Sequence, residues 1–535
     1  MKKIFSSILI LFICTISANA QQGSLINHIP VDATAVYEIN IPVITSKISW
    51  QEIIKNFPQK KHDSASDQMM ELLKDPSLAG VDINQDIIIA KSGNALSDSA
   101  TYTTVIGHIS NAEKFGEAFL KSKPGLKIIV TPNKYRQITE DNSSVSWNNN
   151  LFVAVSVKPS WQGRNPFSDS IKIFFDSTMN KNLQPKKINY SILASRKSSE
   201  ALKGFDKFSF VSDENFKAVF ADNADIHIWA EQPNTLQFLK KMNPANMFSM
   251  MQDMNDSSYK HGNKMLASVR FDNGRIMVDS KNFIVPALHS FYQKLNERPM
   301  NMDLMKKIPR ENVLGFFSIS FDPTIITDLL GNGKTRKKID SSLAAKNMKL
   351  DDIIGVFKGD FLLMALEPGK TDVAEKSKVQ IYFGGTITNM ESLVKLAAEI
   401  KNADERKGKN TFDKIKMAYN AKENIFGFSG SQEMANAFVN NETTTTTDLL
   451  TDKMKSNSFN IVVDFKTIND LLNNATGDIS PKVKSFAGML KILDKLVITR
   501  GAYANNISEA HFELTMSDNS ENSLRTLMKL FAGGK

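Results

Sequence analysis

Cysteine is almost absent from this chain of 535 residues, which contains a single one, Cys14. Because Cys14 lies inside an amino-terminal segment that has the features of a cleaved signal, the mature chain is expected to have no thiol. Disulfide bonds, thiolate metal ligands and a cysteine nucleophile are therefore excluded. Long apolar runs are also missing: no later segment reaches the roughly 18 uninterrupted apolar residues of a spanning helix, so we expect no transmembrane segment after signal removal.

The amino terminus has the three parts of a secretory signal peptide. Lys2 and Lys3 supply a positive start, residues 4–16 are mostly apolar, and Ala18-Asn19-Ala20 matches the small-residue cleavage pattern. We predict a signal peptide over residues 1–20, cleavage after Ala20, and a periplasmic or secreted protein. Lipid attachment at Cys14 is the less favoured alternative, because a bulky residue precedes it where a bacterial lipobox has a small one.

The charge excess is mild. The formal net charge is +9, of which Lys2 and Lys3 are lost with the signal. An excess this small on a long chain, together with export, excludes nucleic acid as the expected partner and leaves an unknown envelope protein or glycan. Four basic residues do gather in one segment, which we interpret as a solvated loop after a helix, with phosphate-rich lipid or polysaccharide binding as the alternative: Lys334, Arg336, Lys337 and Lys338.

The mature chain carries one pattern twice. Ile29-Pro30 and Ile308-Pro309 each introduce an apolar strand-like run followed by a helical stretch, and further segments match at similar spacing. We therefore predict a tandem duplication. Its first α+β repeat spans residues 21–297, with an insertion near 157–197, and its second spans residues 301–535, after a short polar linker.

Both copies alternate strand-like and helical patterns. Asn148-Asn149-Asn150 has the composition of a hairpin turn, and Asn111 and Asn389 stand where N-caps of amphipathic helices are expected. The predicted fold class is α+β, a tandem duplication of a mostly antiparallel sheet-plus-helices module that forms two lobes.

Two segments carry a resemblance to a known family. Ile29-Pro30-Val31-Asp32-Ala33 and residues 71–82, Glu-Leu-Leu-Lys-Asp-Pro-Ser-Leu-Ala-Gly-Val-Asp, resemble a family of exported proteins and lipoproteins from Bacteroidota that is known as a domain of unknown function. The resemblance runs over nearly the whole mature chain. It implies an envelope location and no particular activity. The chain departs from many relatives in lacking a good lipobox.

Motifs for nucleotide binding or acyl transfer are incomplete. Gly331–Thr335 ends in Gly-Lys-Thr, but Asp328 stands where a phosphate-binding loop requires glycine. Gly427–Ser431 misses the nucleophile elbow because Ser431 replaces its second glycine, so a turn is the better interpretation. The seven histidines show no metal-binding spacing. No catalytic or cofactor-binding residue is assigned, and no cofactor is expected.

Among the histidines, His227 has the sequence surroundings that most resemble those of a ligand-binding surface. It shares one face of a predicted strand with Trp229 and corresponds to Asn460 in the second copy. We favour a solvent-facing polar position, with a ligand surface as the alternative. His108 likewise corresponds to Thr386, so the matched polar positions of the two copies differ.

Methionines crowd one segment between residues 242 and 254. Thioethers are soft ligands that suit Cu(I), but the same spacing is typical of an amphipathic helix. Packing is the favoured interpretation, a partner-binding or membrane-facing helix is the second, and a metal site is the third. The weak metal candidates are Met247, Met250, Met251 and Met254.

Two classes of function follow. The favoured one is an exported envelope protein of unknown activity that acts as a non-catalytic binding or scaffolding protein. The alternative is a periplasmic enzyme whose site is assembled from non-contiguous residues in a cleft between the lobes.

Overall fold

The computed structural model describes residues 23–56, 76–82, 84–93, 100–122, 125–131, 134–159, 189–205, 214–231, 264–309, 311–330, 334–344, 348–367, 379–406, 415–440, 452–474, 487–488 and 490–533. The predicted signal peptide, most of the predicted insertion and the methionine segment lie outside the described residues.

Within the described residues, eighteen strands belong to one large sheet, and every pairing described below is antiparallel. The chain therefore has an α+β fold, as predicted. The strands are β1 Ala33–Ile39, β2 Ile87–Ser92, β3 Ala100–His108, β4 Ile129–Val130, β5 Arg136–Glu140, β6 Ser143–Trp147, β7 Leu151–Pro159, β8 Ile226–Glu231, β9 Lys264–Asp272, β10 Arg275–Phe283, β11 Val313–Ser320, β12 Phe357–Leu366, β13 Gln380–Ile387, β14 Lys416–Asn420, β15 Ile425–Ser429, β16 Phe459–Asp464, β17 Leu493–Ala504 and β18 Ile507–Met516.

Helices alternate with these strands along the chain. They are α1 Gly23–Ile26, α2 Ile41–Lys47, α3 Trp50–Asn56, α4 Ala112–Ser122, α5 Tyr190–Lys203, α6 Glu214–Phe220, α7 His289–Asn296, α8 Met302–Met305, α9 Ile325–Leu330, α10 Lys334–Ala344, α11 Leu350–Ile354, α12 Met390–Arg406, α13 Gln432–Asn440, α14 Asp452–Lys455, α15 Phe465–Asn474 and α16 Ser523–Gly533.

The chain divides into two compact units that are built from interleaved segments. The first unit combines residues up to Glu231 with Leu266–Phe271 and the segment from Asn522 onward, whereas the second includes Asp272–Glu521. The predicted repeats at 21–297 and 301–535 concern the sequence pattern, and they stay a prediction.

In the first unit the strand order is β8-β1-β2-β3-β7-β6-β5-β4. The sequence favours strands here because apolar and β-branched side chains recur in short runs between turn residues. Asn148 forms the predicted turn between β6 and β7, where its side chain accepts hydrogen bonds from the backbone N–H groups of Asn150 and Leu151.

Helix α4 covers part of this sheet as its sequence predicts. The Asn111 side chain accepts hydrogen bonds from the backbone N–H groups of Glu113 and Lys114, which confirms the predicted N-cap. The apolar stripe of the helix is buried against Trp147 and Phe152. The Trp147 Nε1–H donates to the carbonyl of Ala112 at 3.0 Å, so this large ring is buried with its polar atom satisfied.

In the second unit the strand order is β10-β18-β17-β16-β11-β12-β13-β15-β14. Asn389 caps α12 by accepting hydrogen bonds from the N–H groups of Glu391 and Ser392, as predicted. Leu393 and Leu396 of this helix are buried, as its apolar stripe predicts.

The predicted polar linker near residue 300 is wrong. Met300, Leu304, Met305 and Ile308 are all buried and belong to the apolar core of the second unit. Asn301 caps the short helix α8 within this segment. Four apolar residues at helical spacing decide the structure, although the polar residues between them dominate the composition.

The basic residues between 334 and 338 lie in helix α10 and not in the loop that the sequence predicts. The Arg336 side chain is ion-paired with Asp340, one turn later in the same helix, and with Asp351 at 2.6 Å. Pairing at this spacing supports the helix and leaves less uncompensated positive charge than the sequence indicates.

Two facing glycines allow a helix to pack closely on the second unit's sheet. Gly384 of β13 is paired with Gly427 of β15, and a Cβ at either position would overlap the ring of Phe438 on α13. Phe438 is 2% exposed. Helix α13 can therefore approach the sheet this closely only because both residues are glycine. They are required because a side chain would not fit, and not because of their backbone conformation.

We expect Gly384→Ala to lower the free energy of unfolding of the second unit by about 1–3 kcal/mol, because the added methyl group overpacks the contact with Phe438. Urea unfolding of the mature protein would measure this. Gly430→Ala is the control, because a Cβ there meets nothing within 4 Å. Equal unfolding midpoints for the two variants would contradict the packing argument.

Candidate functional site

A buried ionic cluster in the first unit is centred on His227. The pairing of β1 with β8 places Glu38 opposite His227, and His227 Nδ1 lies 2.8 Å from Glu38 Oε2. His227 Nε2 lies 2.6 Å from Asp222 Oδ1, on the loop before β8. The imidazole is 0% exposed, so both of its nitrogens are bound to carboxylates away from solvent.

The cluster favours a charged imidazole. Burial by itself lowers the pKa of His227, but hydrogen bonds and the negative charges of Glu38 and Asp222 raise that pKa overall. For Asp222, burial raises the pKa, while His227, Ser268 and Arg270 together hold it below the usual value for an aspartate. The result is an imidazolium held between two carboxylates.

The second oxygen of Asp222 completes the network. Asp222 Oδ2 accepts a hydrogen bond of 2.8 Å from Ser268 Oγ and one of 2.7 Å from Arg270 Nη2. Both donors lie on β9, so the network joins three segments that are far apart in sequence. A half-buried carboxylate with this many donors is stabilised in its ionised form.

Asp86 is the unusual group in this neighbourhood. It directly precedes β2, and no atom of the described residues donates a hydrogen bond to its Oδ1. Burial, followed by the negative charge of Glu38, raises the pKa of Asp86 to about 7, against a smaller opposing effect of His227. Asp86 is therefore a half-buried acid whose proton affinity is shifted toward neutral pH.

Two further histidines of the first unit, His28 and His108, interact with each other electrostatically. Burial lowers the pKa of His108, an effect that Asp82 opposes and His28 reinforces. The pKa of His28 is also lowered by burial, and its Nδ1 lies 2.8 Å from the carbonyl oxygen of Ala201. These two imidazoles are therefore biased toward the neutral form, in contrast to His227.

The expectation that His227 faces solvent is wrong. His227 and Trp229 do share one face of β8, but this face is the inner one, and Trp229 is only 4% exposed. A histidine among apolar strand residues can lie on the buried or on the exposed face of a sheet. Its carboxylate partners, Glu38 and Asp222, lie 189 and 5 residues away along the chain. The burial of Trp229 on the same face is the signal that could have identified it.

The second unit has a group of uncharged polar side chains where β11 pairs with β16. The pairing of β11 with β16 places Ser318 opposite Asn460. The Ser318 hydroxyl and the Asn460 amide both donate to the thioether of Met300, at 3.4 and 3.2 Å. Asp360 nearby accepts a hydrogen bond of 2.6 Å from the Thr386 hydroxyl and another from Asn301.

The His227 arrangement differs from that of a nucleophile and its base. A general base needs one imidazole nitrogen facing the group whose proton it takes. Both nitrogens of His227 face carboxylates, and the nearby Ser268 hydroxyl donates to Asp222 instead of the imidazole. The geometry is that of a charge-paired structural cluster.

Other candidates from the sequence are distributed as follows. Met247, Met250, Met251 and Met254 lie outside the described residues, as do residues 331–333 of the Gly-Lys-Thr segment. Ser431 accepts a hydrogen bond from the backbone N–H of Met434, which confirms the turn interpretation. Across the described ranges, no group of three or more His, Cys, Asp or Glu side chains has a metal-binding arrangement, and no helix is long and apolar enough to cross a membrane.

Comparisons with known proteins add little. No protein-family model and no curated protein matches the chain. Among solved structures, crystal form IV of TP0453 is similar over 50% of this chain and 84% of that one, with 9% identity and a TM-score of 0.27. Crystal form III of TP0453 is similar over 51% of this chain and 87% of that one, with 8% identity and a TM-score of 0.27. Similarity at these TM-scores carries no argument about fold or function.

We expect Asp86→Asn to make the first unit less sensitive to pH. The folded-state pKa of Asp86, about 7, lies above the usual 3.8. The native state therefore binds the proton more tightly than the unfolded state, and the wild type loses stability as the pH rises from about 4 to above 7. Asn, which carries no charge, should be more stable than the wild type at pH 8, by on the order of 1–3 kcal/mol, with the advantage shrinking toward pH 5.

Chemical unfolding at pH 5, 6.5 and 8 measures this difference. Asp141→Asn is the matched control, because Asp141 is exposed and its positive φ of 45° suits Asn as well as Asp. A stability difference between Asp86→Asn and the wild type that is constant over this pH range would show that Asp86 ionises normally.

Proposed function

We propose that this chain is an exported envelope protein with a non-catalytic binding or scaffolding role, built by tandem duplication of one α+β module. The observation that carries the proposal is the state of His227, with both nitrogens engaged by carboxylates, while the matching site in the second unit is neutral. The resemblance to exported Bacteroidota proteins agrees with an envelope location.

Strand pairing supports the duplication. The order β8-β1-β2-β3-β7-β6 in the first unit corresponds to β16-β11-β12-β13-β15-β14 in the second. The registers correspond as well: β1 is irregular between Ala33 and Ala35, and β11 is irregular between Val313 and Gly315. Agreement in both order and irregularity is the pattern expected of two copies of one module.

The copies share their framework and differ in their polar chemistry. The pair Glu38 and His227 corresponds in register to Ser318 and Asn460. Ionisable side chains in one copy are therefore replaced by neutral ones in the other, although both sets are buried. These positions therefore hold no catalytic set that is common to the two copies. This favours a non-catalytic role that depends on the duplicated framework.

A periplasmic enzyme is the second candidate. Asp86 favours it, because a half-buried carboxyl with a pKa of about 7 and a buried oxygen without a hydrogen-bond partner has the properties of a general acid or base. In this alternative Asp86 acts on the substrate, and burial together with the negative charge of Glu38 raises its proton affinity.

One experiment separates the two functions. The mature protein is incubated with a small-molecule and glycan extract of the envelope, and the compounds are followed by liquid chromatography and mass spectrometry. A binding protein removes at most about one equivalent per site, and denaturation returns the compound unchanged. Conversion of many equivalents, lost in Asp86→Asn and retained in Asp141→Asn, would establish the enzyme and overturn our proposal.

For export, we predict that the protein isolated from its native envelope begins at Gln21, because Ala18-Asn19-Ala20 is the cleavage pattern. Intact-mass measurement and amino-terminal peptide mapping determine the first residue. An intact Met1, or a lipid-modified chain that begins at Cys14, would contradict the predicted signal.

For the duplication, we expect His227→Asn alone to destabilise the first unit by about 3–5 kcal/mol, because the buried Glu38 and the half-buried Asp222 lose their shared cation. The double variant Glu38→Ser, His227→Asn introduces the pair found at Ser318 and Asn460. It should recover part of this loss, because Asp222 keeps Arg270 and Ser268 as donors. Denaturant unfolding of the wild type, both single variants and the double variant tests this as a cycle. A double variant no more stable than His227→Asn would contradict equivalence of the two sites.

A further inference from the structure

Arg500 is a partly buried cation in the second unit that lacks an acidic partner. It lies in β17, and its Nε donates a hydrogen bond of 3.1 Å to the Ser508 hydroxyl. Its guanidinium carbon lies 4.9 Å from the centre of the Tyr292 ring. Within the part of the chain that the structure describes, Arg500 makes no ion pair with a carboxylate.

Most other partly buried arginines in this protein do have one. Arg270 is paired with Asp222, and Arg336 is paired with Asp340 and Asp351. Removing a guanidinium from water without a counter-ion is costly, and burial accordingly lowers the pKa of Arg500, with Tyr292 opposing. A cation–π contact and a side-chain hydrogen bond with Tyr292 offset part of this cost, but neither of them supplies a counter-ion to the guanidinium.

The Tyr292 ring that contacts the cation belongs to a group of three rings. The centres of Tyr292 and Tyr503 are 6.2 Å apart, and those of His289 and Tyr503 are 6.4 Å apart. Tyr292 and His289 come from α7, whereas Tyr503 comes from the same strand as Arg500. Two elements of the second unit therefore form an aromatic group, of which Tyr292 contacts the guanidinium.

A local irregularity of β17 makes this grouping possible. Residues three apart in a regular strand point to opposite faces, so Arg500 and Tyr503 would be separated. The pairing of β17 with β18 shifts register between these two residues, and both then contact Tyr292. Bulges that redirect side chains are over-represented at functional sites, so this irregularity is an observation independent of the missing counter-ion.

We propose that Arg500, Tyr292, Tyr503 and His289 form a binding site for an organic carboxylate. The guanidinium fork matches a planar carboxylate, which it binds through two parallel hydrogen bonds. The aromatic rings provide apolar contact for the carbon skeleton of the ligand. The site lies within the second unit and involves no residue of the His227 cluster, so it does not rest on the proposed function.

The carboxylate has two plausible chemical sources, an acidic sugar and the carboxyl terminus of a peptide. D-glucuronate represents the first and N-acetylphenylalanine the second. Their neutral counterparts, D-glucose and N-acetylphenylalaninamide, keep the skeleton and remove the charge. Inorganic phosphate tests whether any anion suffices. Ligand-observed NMR titration of the mature protein measures the binding of all five probes.

We expect at least one carboxylate to bind, with its neutral counterpart weaker by about tenfold or more, since a charge-assisted bidentate contact is lost. Arg500→Met keeps the apolar stem and should weaken that carboxylate by a similar factor. Arg500→Lys keeps the charge without the fork and should bind with intermediate affinity. Arg275→Met, an exposed cation elsewhere in the second unit, should bind as the wild type does.

Three outcomes would overturn the proposal. Equal binding of a carboxylate and its neutral counterpart would show an aromatic surface without charge recognition. Phosphate binding as tightly as the carboxylates would show a general anion site. Absence of binding by every probe, with Arg500→Met less stable than the wild type, would assign Arg500 a purely structural role. If Arg500→Met does not fold, Arg500→Lys and Tyr503→Phe are compared with the wild type instead. The double variant Glu38→Ser, His227→Asn changes only the first unit and should retain carboxylate binding.

Discussion

A central strand that is hydrogen-bonded on both edges is the constraint on which each unit depends. β1 lies between β2 and β8, and β11 lies between β12 and β16. Any polar side chain on the covered face of such a strand is removed from water and must find its partner across the pairing. Glu38 finds an imidazolium there, whereas Ser318 finds an amide and a thioether. Asp86, which directly precedes the neighbouring strand β2, has no donor among the described residues for its Oδ1.

These polar groups and Arg500 differ in what the surrounding chain supplies to them. Glu38, Asp222 and His227 balance one another, and their hydrogen bonds are formed within the protein. Arg500 receives a hydroxyl and aromatic rings but no negative charge. In a self-contained ionic cluster the charges compensate one another and the loss of one partner is costly, whereas an unbalanced cation is suited to an external ligand. The distinction explains why the more conspicuous histidine site is the weaker candidate for binding.

Local patterns in the sequence predicted local structure well. Asn111 and Asn389 cap the helices expected of them, Asn148 forms its turn, and the α+β class follows from alternating strand and helix signals. The pairing of His227 with Glu38 depends on a partner 189 residues away along the chain, so local pattern could not predict it, although Trp229 on the same strand face indicated burial. The site at Arg500 depends on a shift in strand register, which no alternation of side chains reveals. The apolar segment near Met300 was obscured by its polar neighbours.

The interleaving of the two units has a consequence for the order of folding. Helix α16, near the carboxyl end, belongs to the first unit, where Leu524 and Met528 pack against its core and Arg525 donates to Glu52 at 3.0 Å. The two partners of that hydrogen bond are 473 residues apart along the chain. A chain that emerges from its amino terminus completes the second unit's strands before it can complete the first unit. The early unit must therefore persist with an uncovered apolar surface until the last helix arrives, and its final closure is a slow, non-local step.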